Sequence, residues 1–451
     1  MRKNVLKKLL MLSFALAATS QIWSQSKIIS LRECIIYAIE NSPGSAIEQE
    51  REHIRRAQLR ESQLSFIPSV TGTIGAGSNY GRSIDPETNL YSNSTSFSNS
   101  YTLSGSLYLF NGFTTLNNYK ISKIALLSGA DESQRVEDEL SLKVIQAYHN
   151  VLYASEMVLL VKEQSVESKA LLKKAKTLEE LGLTSNADLL QAEAKVASDE
   201  YNVTMQENIL QREIMNLKYI MFYPLDNDLA PDTTNLPALD MIKSKYNTDS
   251  LLENSLESVP QIRISAYNVE SSRLSYKTAR WRALPSVYLN GGYSTGYMVS
   301  NRSESSTASF WDQISNKQGQ YISIGINIPV FNSLSRHTAI TRSRSQLKIA
   351  EHEHEQRVAE ITAEIKKVVL DLNGTVKEVE LAEKRLSAQS AAHSANTRRF
   401  EEGLITILEL QGSSNALLAS KAELLNATLR YSLTRRVADY YSGISYLNQQ
   451  Y

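Results

Sequence analysis

The chain has 451 residues, too many for one ordinary compact core. Lys+Arg and Asp+Glu balance at 48 each, so there is no global basic field to attract nucleic acid. The one cysteine, Cys34, excludes an internal disulfide framework.

The opening stretch, MRKNVLKKLLMLSFALAATSQIWSQ, reads as a secretory signal over residues 1–25. It has basic Arg2, Lys3, Lys7 and Lys8, an apolar run over Leu9–Ala18, then small residues; cleavage fits after Ser20 or near Ser24. That run is too short to span a bilayer, and no later stretch approaches the ~20 apolar residues a spanning helix needs. A mature chain in a membrane must then cross by β-strands. Cys34 sits in SLRECIIYA without the small apolar context of a lipid-anchoring cysteine, and is expected to be a buried helix residue.

Residues 30–66 are predicted to be helical, with Ser30 as N-cap. After Pro68, VTGTIGAGSNY predicts a strand near 69–80, followed by a polar loop over 81–100. YTLSGSLYLF (101–110) alternates through Leu103, Gly105, Leu107 and Leu109, the β signature. From about residue 112 to 181 the period becomes helical. Leu140, Val144, Ala147, Val151, Ala154, Val158 and Val161 form a heptad seam, and Ile145, Tyr148, Leu152 and Leu159 run beside it. Such a run would extend roughly 105 Å as one helix. In EELGLTSNADLL, Gly182 permits the left-handed backbone that ends a helix, and Thr184 or Ser185 can cap the next one. The return helix spans roughly 186–220, so Gly182 marks a hairpin tip.

The order then recurs. Pro43, Pro68, Val70 and Gly75 match Pro260, Pro285, Val287 and Gly292 at a constant offset of 217. SLYLFNG (106–112) matches NIPVFNS (327–333) at offset 221, which also pairs Gly182 with Gly403 and Asp188 with Glu409. The seam recurs as Ile361, Ile365, Val368, Leu372, Thr375, Val379 and Ala382. The expected organisation is a first repeat over 26–222, a linker over 223–249 and a second repeat over 250–451. Membrane strands fall within 67–110 and 284–331, with a polar loop over 298–320.

Four strands, near 69–80, 101–110, 286–297 and 321–331, cannot close a barrel, which needs at least about eight. Other copies must complete it: two chains would give about eight strands, three about twelve and room for a lumen. Tyr80, Tyr101, Tyr108, Tyr288, Tyr297 and Phe310–Trp311 suit aromatic girdles at the membrane interface. No catalytic or cofactor pattern is present. In EHEHE, His352 and His354 are spaced i,i+2 and point apart on a helix, so no metal site is expected.

The duplicated helix–strand–strand–helix order, the IPSV/LPSV and LFNG/VFNS segments, and the paired tips GLTSNADLLQAE and GLITILELQGSS resemble the TolC-like outer-membrane efflux protein family. The resemblance implies a mainly α chain with a small β part. Long antiparallel helical hairpins would form a trimeric periplasmic α-barrel, and each chain's four strands would join a twelve-stranded barrel in the outer membrane of a Gram-negative bacterium. Its partners would be two further copies, outer-membrane lipid, a periplasmic adaptor and an inner-membrane pump, with no nucleic acid and no cofactor. The family's acidic ring just past the tips falls on Asp188 and Glu409. The tyrosine and arginine of the family's polar latch fall on Phe400 and Ile405, with Arg398 or Arg399 as neighbours, and a second acidic position falls on Gly412. The expected function is the exit duct of a tripartite efflux pump for drugs or small solutes. The alternatives are a type I protein secretion duct and, from another class, a secreted or periplasmic coiled-coil scaffold or adhesive protein.

Overall fold

The computed structural model describes residues 28–84, 91–182, 184–232, 248–300 and 308–449. The expected signal segment, much of the expected linker and parts of both expected polar loops lie outside the described residues. The chain divides into two compact units. A helical unit comprises Met1–Glu48, Ser133–Pro260 and Val358–Tyr451; a sheet-bearing unit comprises Gln49–Glu132 and Gln261–Arg357.

The helical unit starts with β1 (Ile28–Ile29) and α1 (Leu31–Asn41). Ser30 caps α1 as expected: its side chain accepts from Glu33 N, and Glu33 accepts from Ser30 N at 2.9 Å, a reciprocal capping box. The predicted single helix over 30–66 is two helices, because α2 (Pro43–Leu64) begins at a proline. A proline pushes the preceding residue out of the helical region, and Ser42 is extended at φ −71, ψ 126.

The long runs form α3 (Thr114–Glu180) and its later counterpart α8 (Ser335–Glu401), each 67 residues. The return helices are α4 (Asn186–Met221) and α9 (Ile407–Tyr441). Both heptad seams are interior. Val144, Ala147, Val151, Ala154, Val158 and Val161 are buried on α3, as are Ile361, Ile365, Leu372, Val379 and Ala382 on α8. Thr375, the polar member of the seam, is buried too, and its hydroxyl donates to Leu372 O at 3.0 Å. The side line Ile145, Tyr148 and Leu152 packs with Cys34, Ile35 and Ala38 of α1 and Leu217 and Met221 of α4. Leu159, two turns beyond that cluster, is exposed, so the second line stops at Leu152.

Two short helices, α5 (Thr248–Ser258) and α6 (Pro260–Trp281), lead into the second pair of sheet strands. In the sheet-bearing unit β2 (Ser69–Ile84), β3 (Tyr91–Asn111), β5 (Ser286–Ser300) and β6 (Gly319–Asn327) form one antiparallel sheet in the order β2-β3-β5-β6. β4 (Ala230–Pro231) belongs to the helical unit, pairing with β1. Most of the segment expected as a loop over 81–100 is strand, with the β2–β3 ladder running out to Ile84↔Tyr91. Its serines and asparagines looked loop-like, but ladder hydrogen bonds come from the backbone and do not require apolar side chains. The predicted loop over 298–320 contains a short helix, α7 (Phe310–Asn316). β6 ends at Asn327 rather than near 331, just before Pro329, which has no N–H to donate.

The register sorts the sheet into two faces. One carries Val70, Ile74, Leu103, Leu107, Val287, Leu289, Ile322, Ile324 and Ile326. The other carries Thr71, Thr73, Ser98, Ser100, Thr102, Ser104, Asn290, Ser294 and Ser323. A register shift between Tyr108 and Phe110 gives Leu109 no rung and brings Phe110 opposite Val287, so the apolar line passes from Leu107 to Phe110. Tyr80, Tyr101 and Tyr297 lie on the apolar face. Tyr108 and Tyr288 oppose each other on the polar face and so leave the expected girdle.

The strand-to-helix junctions share one geometry. Gly112 and Phe113 have φ of 62° and 59°, and Ser333 and Leu334 have 52° and 61°. In each, the preceding asparagine side chain accepts a backbone N–H four residues on: Thr115 N to Asn111 Oδ1 at 3.2 Å, Arg336 N to Asn332 Oδ1 at 3.5 Å.

Candidate functional site

The two hairpin tips both lie in the helical unit. α3 ends at Glu180 and Gly182 takes φ 72°, its N–H donating to Glu179 O at 2.8 Å. α8 ends at Glu401 and Gly403 takes the same φ. There Gly403 N donates to Phe400 O at 3.1 Å and Leu404 N to Arg399 O at 2.8 Å, the paired bonds of a Schellman stop. A Cβ added at either glycine would meet nothing within 4 Å, so backbone conformation rather than space calls for glycine.

The next helix starts at once. Ser185 caps α4 and Thr406 caps α9, and each N3 residue is an acidic partner in a capping box. Those partners are Asp188 and Glu409. Asp188 Oδ2 accepts from Ser185 Oγ at 2.7 Å and Thr184 Oγ1 at 3.1 Å. Glu409 Oε2 accepts from Thr406 N at 2.8 Å and Thr406 Oγ1 at 3.0 Å. The Ser185 and Thr184 hydroxyls hold the Asp188 carboxyl below its ordinary pKa. For Glu409 the backbone N–H of Thr406 is the main cause, followed by its hydroxyl, with the Arg399 guanidinium adding. Both groups are therefore ionised at neutral pH. Asp188 is half-exposed and Glu409 exposed, so each tip presents a fixed negative charge to solvent as well as capping its helix.

The residues at the latch positions do something else. Phe400 packs with Ala175 of α3, Ala192 of α4 and Ile407 of α9, and Lys174 Nζ stands 5.4 Å from its ring centroid. Lys174 also pairs with Glu401 at 3.7 Å across the two hairpins. An apolar plug thus occupies the place where a polar link was sought. Gly412 lies within α9 with nothing within 4 Å of an added Cβ, and brings no charge.

Sequence reasoning missed the polar layer between the hairpins. Ser414 Oγ lies 3.2 Å from Gln164 Oε1 and 2.9 Å from Glu167 Oε2, and His393 Nε2 lies 2.9 Å from Glu167 Oε1. Lys195 Nζ donates to Asp199 Oδ1 and Asn415 Oδ1, both at 2.8 Å. A signal was there to read. Continuing the 4–3 step beyond Val161 lands on Ser165 and Ser168, both buried, so the seam turns polar before the tip. Among the described residues no group of three or more His, Cys, Asp or Glu is placed to hold a metal ion. His354 shares a hydrogen bond with Ser265 at 2.8 Å, and His352 with Glu355 at 3.1 Å.

Comparison with known proteins agrees with this architecture. The family model described as Outer membrane efflux protein matches residues 38–221 and 251–438. Outer membrane protein TolC of Vibrio cholerae is 19% identical over 440 residues, 95% of this chain and 94% of the relative. Among solved structures, VceC of Vibrio cholerae superposes with a TM-score of 0.77 at 16% identity, covering 93% of this chain and 96% of that one. The outer-membrane channel OprN superposes at 0.78 and 18%, covering 92% and 90%.

Proposed function

Since the chain belongs to the outer membrane efflux protein family, we propose that it is the exit duct of a tripartite efflux pump, assembled from three copies. Members of this family are outer-membrane channels rather than enzymes, with a helical portion in the periplasm. The observation that carries the duct reading is the four-stranded sheet, whose two edge strands, β2 and β6, each have a partner on one side only among the described residues. Its apolar face is largely bare, with Ile74 at 78% and Ile322 at 79% exposure, while its other face is rich in hydroxyls. Such a sheet suits a wall with lipid outside and water inside. Three copies supply twelve strands, enough to leave a lumen. The soluble scaffold reading fails on the family and on this face.

In the proposed duct the two repeats each supply one tip, and six tips converge on the periplasmic entrance. Asp188 and Glu409 from each copy make a ring of fixed negative charge that favours cations. The adaptor and inner-membrane pump deliver drugs or small solutes to that entrance. The test is conductance in planar bilayers. Asp188→Asn with Glu409→Gln is expected to lower the cation-to-anion permeability ratio severalfold while leaving trimer formation unchanged. An unchanged ratio removes both residues from the role, and a monomeric species in native membranes would overturn the duct. Crosslinking in cells, followed by co-purification of an inner-membrane pump, tests the partners.

A further inference from the structure

β6 is the shortest strand of the sheet, nine residues against fifteen in its neighbour β5. Their pairing ends at Ser294↔Gly319, and beyond that rung β5 continues with no strand on this side among the described residues. The short helix α7 occupies the place instead. Met298 N donates to Gln313 Oε1 at 3.0 Å, so a buried glutamine side chain supplies the acceptor that a strand would have offered. Gln313 is itself fixed, its Nε2 donating to Ala308 O at 3.0 Å and its Oε1 accepting from Lys317 Nζ at 2.6 Å.

α7 lies on the apolar face of the sheet. Thr295 and Tyr297 belong to that face by register, and Thr295 Oγ1 donates to Ile314 O at 2.6 Å. The Tyr297 and Phe310 ring centroids are 5.3 Å apart, and Phe310 and Trp311 are 5.2 Å apart. Trp311 is nonetheless 75% exposed. Height along the strand fixes what it faces. A tilted strand crosses the bilayer core in ~9–11 residues, and Thr295 is about the tenth from the start of β5 at Ser286. The level of Thr295 and Tyr297 is therefore where hydrocarbon gives way to headgroups.

We propose that α7 is an interfacial anchor, with the Trp311 indole seated in the outer-leaflet lipid beside the barrel. An indole has an apolar body and one N–H, and favours the boundary where one end is dry and the other wet. The charged Asp312 in the helix and Lys317 at its C-cap suit the headgroup side. The helix also covers the stretch of β5 edge that β6 leaves open, at the level where unpaired backbone would meet lipid. This inference rests on the reading of the sheet as a membrane barrel.

Tryptophan fluorescence tests it. Of the three tryptophans, Trp23 lies between the two expected signal-cleavage points, so Trp23→Phe/Trp281→Phe leaves Trp311 as the one reporter wherever cleavage falls. The variant, purified as the assembled protein, is placed in phosphatidylcholine vesicles carrying bromine either near the headgroup or deep in the acyl chain. Shallow bromines are expected to cut Trp311 emission at least twofold and more than deep ones, with little quenching by aqueous iodide. Adding Gln313→Ala to unpin the helix should raise iodide quenching at least twofold. Strong iodide quenching without response to bromine would place the ring in water and overturn the anchor. Silence to both would place it against another copy and overturn it equally. A second variant, Trp23→Phe/Trp281→Phe/Trp311→Phe/Ile324→Trp, reports the barrel. If deep bromines quench this one while Trp311 ignores bromine, the anchor fails and the barrel stands. If neither responds, the barrel reading fails and takes the anchor with it.

Discussion

Val151 and Ile324 are both β-branched aliphatic residues on regular elements, with opposite surroundings. Val151, on the α3 seam, is 1% exposed within a single chain; Ile324, on β6, is 67% exposed. The helical unit finds its apolar contacts internally, because hairpins bring one seam against another. The sheet-bearing unit cannot, because among the described residues its apolar face is covered only by the short α7, and the rest of that face must find its layer outside the chain. Bare aliphatic side chains repeated at period two are a membrane-facing pattern, whereas the same residues at heptad spacing make a core.

Exchanging charge into the two sites breaks the comparison most sharply. Val151→Asp places an unpaired carboxylate in the helical core and is expected to destabilise that unit by about 3–5 kcal/mol. Thermal unfolding followed by circular dichroism should show an early transition in any solvent. Ile324→Arg should leave helical packing intact and instead weaken membrane insertion by about 2–4 kcal/mol, as for a cation at the bilayer midplane. Its readout is the fraction folded in vesicles by heat-modifiable electrophoresis. If Ile324→Arg unfolds the helices in detergent, or if Val151→Asp is silent there, the division between an internal and an external apolar face is wrong.

The same contrast explains what was legible beforehand. The seams from Val144 to Val161 and from Ile361 to Ala382 were readable because a heptad identifies both element and buried face. Gly182 and Gly403 stood out as isolated glycines in helix-favouring runs, and the left-handed turns are there. Residues 91–100, YSNSTSFSNS, were not readable as strand. Their pairing is by backbone and their polar side chains carry no alternation strong enough to see. The break at Ser42 was written in Pro43 but outweighed by the period on either side. At the site, Asp188 and Glu409 were visible as acidic residues after a turn, and their cap geometry follows from T-S-x-x-D and T-x-x-E. The layer of Gln164, Glu167, His393 and Ser414 was hidden because its members sit on three helices and meet only after packing.

A smaller effect sharpens the comparison inside the helical unit, where Val151 is held by packing and Gly182 by its backbone angle. Gly182→Ala should be destabilising by about 1–2 kcal/mol, the usual penalty for a left-handed L-residue, although no atom stands in the way of the methyl. Gly412→Ala, in the second turn of α9 with equally open space, should stabilise by about 0.5–1 kcal/mol. Limited proteolysis at the tips distinguishes them, with faster cleavage expected for Gly182→Ala and slower for Gly412→Ala. Equal behaviour would mean that space rather than backbone conformation governs the turn.

The smallest expected effect is in the pH response of the tips, where seam and tip should part company. Asp188 and Glu409 have folded pKa values below their ordinary 3.8 and 4.5, because cap donors favour the carboxylate. A depressed pKa means the cap contribution is complete above the ordinary value and is lost as pH falls through the folded one. Protection of the tips should then hold from neutral pH down to the ordinary carboxylate range and decline only below it. Hydrogen exchange of peptides covering 184–192 and 404–412, corrected for intrinsic rates, measures this against seam peptides around Val151, which carry no such cap. Asp188→Asn should abolish the acid response of the first tip alone, leaving that of Glu409 in place. Loss of tip protection between pH 7 and 5 would show that the tips are not governed by their caps.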